Sequence, residues 1–225
     1  MRVLHVIPSV SDRSGGPATA IVPMCRALGA QGIEVVLAST SYGFERMNTD
    51  QVEEFKGVPA RFFPVQLGAS FKYSRPFAMW LRAKVREFEV VHVHAVFNHA
   101  SVAAAAACRD SGVPYIVRPL GTLDPWSMKQ KPLRKRIFWE LMGKPMLQRS
   151  AAVHYTALAE KEATESYLGL NHGRVIPLGV EVNGWKPTEH PPNPYVLSLS
   201  RLHPKKGLEV LIDAFGSVSG LRGNW

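Results

Sequence analysis

The sequence predicts an α/β fold: a Rossmann-like parallel sheet with helices on both faces, followed by the first strand and helix of a second Rossmann-like domain. Three observations predict it. Short apolar runs rich in β-branched residues alternate with helix-period segments along most of the 225 residues. The runs are near-continuous in apolar residues, as strands buried on both faces are, where a half-exposed strand would alternate. A proline-rich break late in the chain is followed by the strand-and-helix pattern starting again.

In chain order, strands are expected over 3–7, 35–38, 61–65, 90–94, 115–117, 152–155 and 175–177. Helices are expected over 18–30, 77–88, 101–110, 133–149 and 159–168. Gly32, Gly112 and Gly169 fall just past three of these helices, where a left-handed C-cap belongs. The stretch 178–195 holds four prolines and two glycines and has no periodicity, so it reads as a linker. A strand over 195–199, a basic loop and an amphipathic helix then begin. The expected organisation is a domain over 1–180, a linker over 181–194 and the start of a second domain over 195–225. In that last piece Val196, Leu197, Leu208, Leu211, Ile212 and Phe215 lack layers to bury them, so they are expected to be partly exposed, or covered by the first domain or another chain.

The apolar fraction of 46% and charged fraction of 20% are ordinary for a water-soluble globular chain. No segment reaches the roughly 18 apolar residues of a membrane span. The N-terminus reads as a first buried strand, not a signal peptide. Cys25 and Cys108 have no CxxC or metal-finger spacing and lie on apolar helix faces, so they read as buried free thiols in a reducing cytoplasm. The net charge of +9 is the unusual bulk value, and Lys129, Lys131, Arg134, Lys135 and Arg136 concentrate it within eight residues. Phe138 and Trp139 beside them suit an anionic membrane interface, while the plainer alternative is a solvated basic face over core aromatics. Nucleic acid is not expected, because no binding motif accompanies the charge.

Ligands of open α/β sheets bind beyond the carboxyl ends of the strands. After the first strand, PSVSDRSGGPA offers Gly15 and Gly16 for close backbone approach and Pro17 for a first helical turn. A tight strand-to-helix turn explains the same residues equally well. The GxGxxG fingerprint is absent, which argues against a nicotinamide dehydrogenase. In VVHVHAVF, His92 and His94 lie on one face of a strand; without further ligands nearby a metal is not expected, and His94 is the one expected to line the cleft. In the last loop, Arg201 and Lys206 offer a fork of donors and a point charge, a suitable pair for a diphosphate.

SLSRLHPKKGLEVLIDAF resembles the G-R-L-x-x-x-K-G-x-x-x-L-x-x-A-F signature of family 4 (group 1) glycosyltransferases, with Ser200 in place of the first Gly. VIPLGVE resembles the family's I-P-N-G-V-D, with Leu178 for Asn and Glu181 for Asp. SGGPA and VVHVHAVF fit the same order, and RPLGTLDPW with its basic run resembles a sub-group carrying P-R-G-M-L-x-P-W. The resemblance implies the GT-B architecture, two Rossmann-like domains across a cleft, with the acceptor on the first and the nucleotide-sugar on the second. It implies a retaining, metal-independent transfer of a sugar to an acceptor hydroxyl, with no cofactor beyond the nucleotide-sugar co-substrate. Arg201 and Lys206 would bind the donor diphosphate and neutralise the leaving group, with Gly15, Gly16 and Glu181 completing the donor site. The implied acceptor is a saccharide or a lipid-linked sugar in polysaccharide or glycolipid biosynthesis, at the inner face of the membrane. Leu120 precedes Gly121 where many members carry His, so that role is unfilled, and His94 and Asp124 remain the catalytic candidates. The family's E-x(7)-E motif belongs downstream of Trp225, so the chain reads as an N-terminal portion, inactive alone. The alternative reading is a non-catalytic domain that binds acceptor or membrane.

Overall fold

The computed structural model describes residues 1–45, 51–180, 186, 195–200 and 202–219, and divides into two compact units, Met1–Glu181 and Val182–Trp225. In the first unit β1 (Arg2–Ile7), β2 (Glu34–Thr40), β3 (Val52–Phe55), β4 (Val58–Phe63), β5 (Val90–His94), β6 (Tyr115–Arg118), β7 (Ala152–Tyr155) and β8 (Gly173–Val175) form one sheet. Its order is β3-β4-β2-β1-β5-β6-β7-β8, parallel except where β3 pairs antiparallel with β4. The chain builds outward from β1 to β4, then returns across β1 to lay down β5 to β8. The order therefore reverses between β1 and β5, and a crevice opens at their carboxyl ends.

The period of two along each strand divides the residues between two faces. Leu4, Val6, Val91, Val93, Val117 and Val153 point to one face and pack against Phe77 and Leu81 of α2 (Arg75–Lys84), Ala104 and Cys108 of α3 (His99–Ser111), and Met146 of α6 (Lys144–Gln148). Buried alanines on α3 let that helix lie close to the sheet. On the opposite face, Ile21, Val22 and Cys25 of α1 (Gly16–Ala30) cover Ile7, Val35, Leu37, Ala60 and Phe62. Beyond α1, that face carries a different set of side chains: His5, His92, His94, Arg118 and His154. A cavity of about 480 Å³ lies there, between Met24 and Leu28 of α1 and the strand residues His92, Ile116, Ala152 and His154. Burial raises the thiols of Cys25 and Cys108 to about 12, and both are free.

Several boundaries differ from expectation. β3 was not expected, because Glu53 and Glu54 hide it; as an edge strand it tolerates charge, and Lys56 and Gly57, both at positive φ, make its two-residue turn. With the hairpin in place, the strand expected over 61–65 sits at 58–63, and the last strand ends at Val175, not Pro177. The loop before Pro132 contains a short helix, α4 (Pro125–Lys129), capped by Asp124. The helix expected over 133–149 is α5 (Pro132–Phe138), a π turn at Trp139–Gly143, and α6. Pro145 supplies the reason: it has no N–H for the carbonyl four residues back and its ring crowds that carbonyl, so the helix widens one turn earlier. α7 (Leu158–Leu168) ends at Gly169 in the left-handed conformation, as the sequence indicates.

Gly173 at the start of β8 gives a stability test. A Cβ there would lie 2.3 Å from Tyr155 Cε2 and 2.4 Å from Glu165 Oε1. Neither group can easily move, since Tyr155 is fully buried and Glu165 Oε1 already accepts the Gly173 N–H at 2.8 Å. Gly173→Ala is expected to cost about 2 kcal/mol, read as a lower urea midpoint with an unchanged slope. An unchanged midpoint would mean that β8 shifts freely.

In the second unit, residues 195–200 form no strand, and no strand lies among the unit's other described residues. The 3-10 turn Pro204–Lys206 leads into α8 (Leu208–Ser219). Val196, Leu197, Leu211, Ile212 and Phe215 are exposed.

Candidate functional site

The crevice at the reversal point is walled by the loops after β1 and β5. In the first, the hydroxyls of Ser9, Ser11 and Ser14 hydrogen-bond to one another at 2.7–3.1 Å, and Ser9 Oγ donates to the Tyr42 carbonyl at 2.9 Å. Gly15 ends this loop at φ 74 and ψ −157, a conformation closed to residues with a Cβ, and no side chain caps α1 behind it. Gly16 faces open space, with nothing within 4 Å of where its Cβ would be. In the second loop, Asn98 caps α3 by accepting from Ser101 N at 2.9 Å, and Ser101 Oγ donates back to the carbonyls of Ala95 and His94.

Beneath the crevice lies a histidine cluster built by register. His5 of β1 pairs with His92 of β5, His94 follows two residues on, and His154 comes from β7. His5 Nδ1 and His94 Nε2 are 3.1 Å apart, and His154 Nδ1 and His92 Nε2 3.2 Å. The Ile176 carbonyl accepts from His154 Nε2 at 2.8 Å. That proton leaves His154 Nδ1 as an acceptor, so the shared proton of the second pair belongs to His92. Burial is the main force depressing the basicity of all four imidazoles, and the positive charge of Arg118 adds to it; His5 is held down to about 3. The ring nitrogens of His5, His92 and His94 lie within 4.8 Å of one another and could converge on a metal. The hydrogen bonds already joining the rings and the Arg118 charge beside them oppose a cation there.

The expected division of the histidines is reversed. His94 is sealed, 1% exposed and bonded to His5, whereas His92 lines the open cavity.

Arg118 ends β6, fully buried. Its Nη1 reaches the Met24 thioether at 3.7 Å, and among the described residues its Nε and Nη2 find no acceptor. Past it, Leu120 and Gly121 both take left-handed backbone, at φ 58 and φ 67, so Leu120 occupies a strained position. Glu160 ties this loop to the next: its carboxylate accepts from Gly121 N at 2.7 Å and from Thr156 N and Oγ1 at 2.9 Å. Asp124 is committed to capping, accepting from Ser127 N at 2.8 Å and Ser127 Oγ at 3.1 Å. Lys135 points inward, donating to the Ser127 carbonyl at 2.6 Å with its ammonium 4.9 Å from the Phe97 ring centre. Lys129, Lys131, Arg134 and Arg136 are exposed.

In the second unit, Lys206 is exposed in the turn that opens α8, and its N–H donates to the His203 carbonyl at 2.8 Å. Gly207 follows in left-handed backbone, φ 57. Arg201 and Glu181 lie outside the described residues. Sequence reasoning passed over His5, Arg118, His154 and Glu160. The period-2 rule would have grouped the histidines and Arg118 on one face, had the strand order been known.

A doubly wound sheet whose loops gather at one reversal point defines an α/β ligand-binding domain of the Rossmann-like type found in GT-B glycosyltransferases. The chain belongs to the family described as the glycosyl transferase 4-like domain, whose model matches residues 15–179. Anabaena HepE, solved with UDP and glucose, is similar over 96% of this chain and 58% of its own, with 19% identity and a TM-score of 0.60. The same protein solved with UDP-glucose gives a TM-score of 0.62 at 18% identity. The UDP-GlcNAc 2-epimerase of Methanocaldococcus jannaschii is similar over 78% of this chain and 45% of its own, at 14% identity and a TM-score of 0.50. At these identities the likeness is one of fold, and the chain spans about half the length of the structures it matches. No curated protein is detectably similar to it in sequence. Among the described residues, no helix is long and apolar enough to cross a membrane.

Proposed function

We propose that the chain forms the acceptor-side part of a glycosyltransferase that moves a sugar from a nucleotide-sugar to an acceptor hydroxyl, with retention and without a metal. The observation carrying this reading is the family match over residues 15–179, falling on a doubly wound sheet with its loops at one crevice. Retention comes from the family resemblance. HepE was solved in complex with UDP-glucose, and a nucleotide-sugar of that kind is the first to try here. In this reading Arg201 and Lys206 neutralise the departing diphosphate, just ahead of the N-terminus of α8, where the helix dipole favours an anion. Gly15 and Gly16 let backbone approach the bound substrates, and Glu181 completes the donor site. His94 is sealed and Asp124 is a helix cap, so both take positioning roles. The acceptor is a saccharide or lipid-linked sugar on the cytoplasmic side, in polysaccharide or glycolipid synthesis.

The experiment is a transfer assay on the whole gene product with UDP-, GDP- and ADP-sugars and saccharide or lipid-linked acceptors. Lys206→Ala is expected to cut transfer by about a hundredfold by removing one leaving-group contact. Full activity in that variant would remove Lys206 from the donor site. Acceptor binding without transfer from any donor would favour a non-catalytic binding domain.

A further inference from the structure

The helix running from α5 through the π turn into α6 has two unlike sides. Trp139, Met146 and Leu147 are buried, and Phe138 packs against Phe97 and Phe71. On the other side Leu133, Ile137 and Leu141, four residues apart, are 73%, 53% and 70% exposed. Helical neighbours at that spacing form one row. Exposed cations flank it at Lys129, Lys131, Arg134 and Arg136, and no described carboxylate pairs with any of the four. Lys135 alone of the basic run is turned inward. Trp126, on the preceding short helix, is 39% exposed.

Each half of this surface excludes a class of partner. A nucleic acid would use the four cations but has no use for three aliphatic side chains in a row. An apolar protein groove would take the row but would leave four unpaired cations at its rim. An anionic bilayer takes both, the row entering the boundary between headgroups and acyl chains and the cations meeting the phosphates. We propose that this face, running from α5 into the π turn, docks on an anionic lipid bilayer. The proposal does not depend on the donor chemistry and stands or falls separately from sugar transfer.

The test is co-sedimentation of the 225-residue chain with neutral phosphatidylcholine vesicles and with vesicles containing phosphatidylglycerol, at low and high salt. Wild type is expected to bind the anionic vesicles, less so as salt screens the cations. Leu133→Ser, Ile137→Ser and Leu141→Ser combined are expected to weaken binding at least about tenfold at every salt concentration. Changing Lys129, Lys131, Arg134 and Arg136 to Gln is expected to remove the salt-dependent part. Because α8 also exposes apolar residues, the differences between variants and wild type decide the matter. Unfolding transitions confirm that the variants fold, and single Ile137→Ser and Leu141→Ser changes carry the test if the triple variant does not. Failure of wild type to bind, equal binding to neutral vesicles, or an undiminished triple variant would each overturn the proposal. The last result, with short RNA competing, would assign the four cations to a polyanion.

Discussion

Taking the protein from pH 7.5 to pH 5.5 is expected to cost about 4 kcal/mol of folding stability through three histidines. His5, His92 and His94 are buried and neutral, with folded-state basicity well below the ordinary imidazole value, to about 3 for His5. In the unfolded chain each titrates near 6.5, so below that pH the unfolded state binds more protons than the folded one. Their contribution is therefore complete above about pH 6.5 and is lost as pH falls below it towards the depressed folded values. Over this interval each imidazole forfeits about 1.4 kcal/mol. Against a total of about 5–15 kcal/mol for a typical domain, the loss is large. Urea unfolding at pH 7.5, 6.5 and 5.5 measures it. His5→Gln should flatten the dependence by about a third. A variant with the wild-type dependence would place the acid sensitivity elsewhere.

The strands that bring the histidines together were legible because β1, β5 and β7 are short runs of apolar residues interrupted only by those histidines. β3 was not, since Glu53 and Glu54 sit where an edge strand meets water. The cluster itself joins residues 62 to 89 positions apart, and only strand order brings them together. Local pattern also fails at the basic run. The sequence offers Phe138, Trp139 and Leu141 as alternative core residues; Phe138 and Trp139 turn inward, while Leu141 turns out and Lys135 turns in. Those choices are made by the π turn ahead of Pro145 and by the Ser127 carbonyl, and a periodicity of 3.6 encodes neither. Arg118 falls just past the strand expected over 115–117. It is instead the sealed last residue of β6.

Arg118 carries the other large effect. A buried guanidinium without a partner costs several kcal/mol, and its Nε and Nη2 have no acceptor among the described residues. Glu160 attracts it, but the Glu160 carboxylate is already engaged by the amides of Gly121 and Thr156 and the Thr156 hydroxyl. Arg118→Met keeps a side chain of similar reach, apolar and able to pack on Met24. It is expected to raise stability at pH 7.5 by about 1–3 kcal/mol. It should also make the acid dependence shallower, because the Arg118 charge helps to depress His5, His92, His94 and His154. The two readouts are independent, one a midpoint at fixed pH and the other a slope. A destabilised variant would show that the guanidinium makes hydrogen bonds the fold depends on. A stabilised one means that the chain keeps a costly charge at the carboxyl end of β6, beside the reversal-point crevice, for a reason other than folding. If the proposed sugar transfer is that reason, transfer should fall in the same variant that folds better.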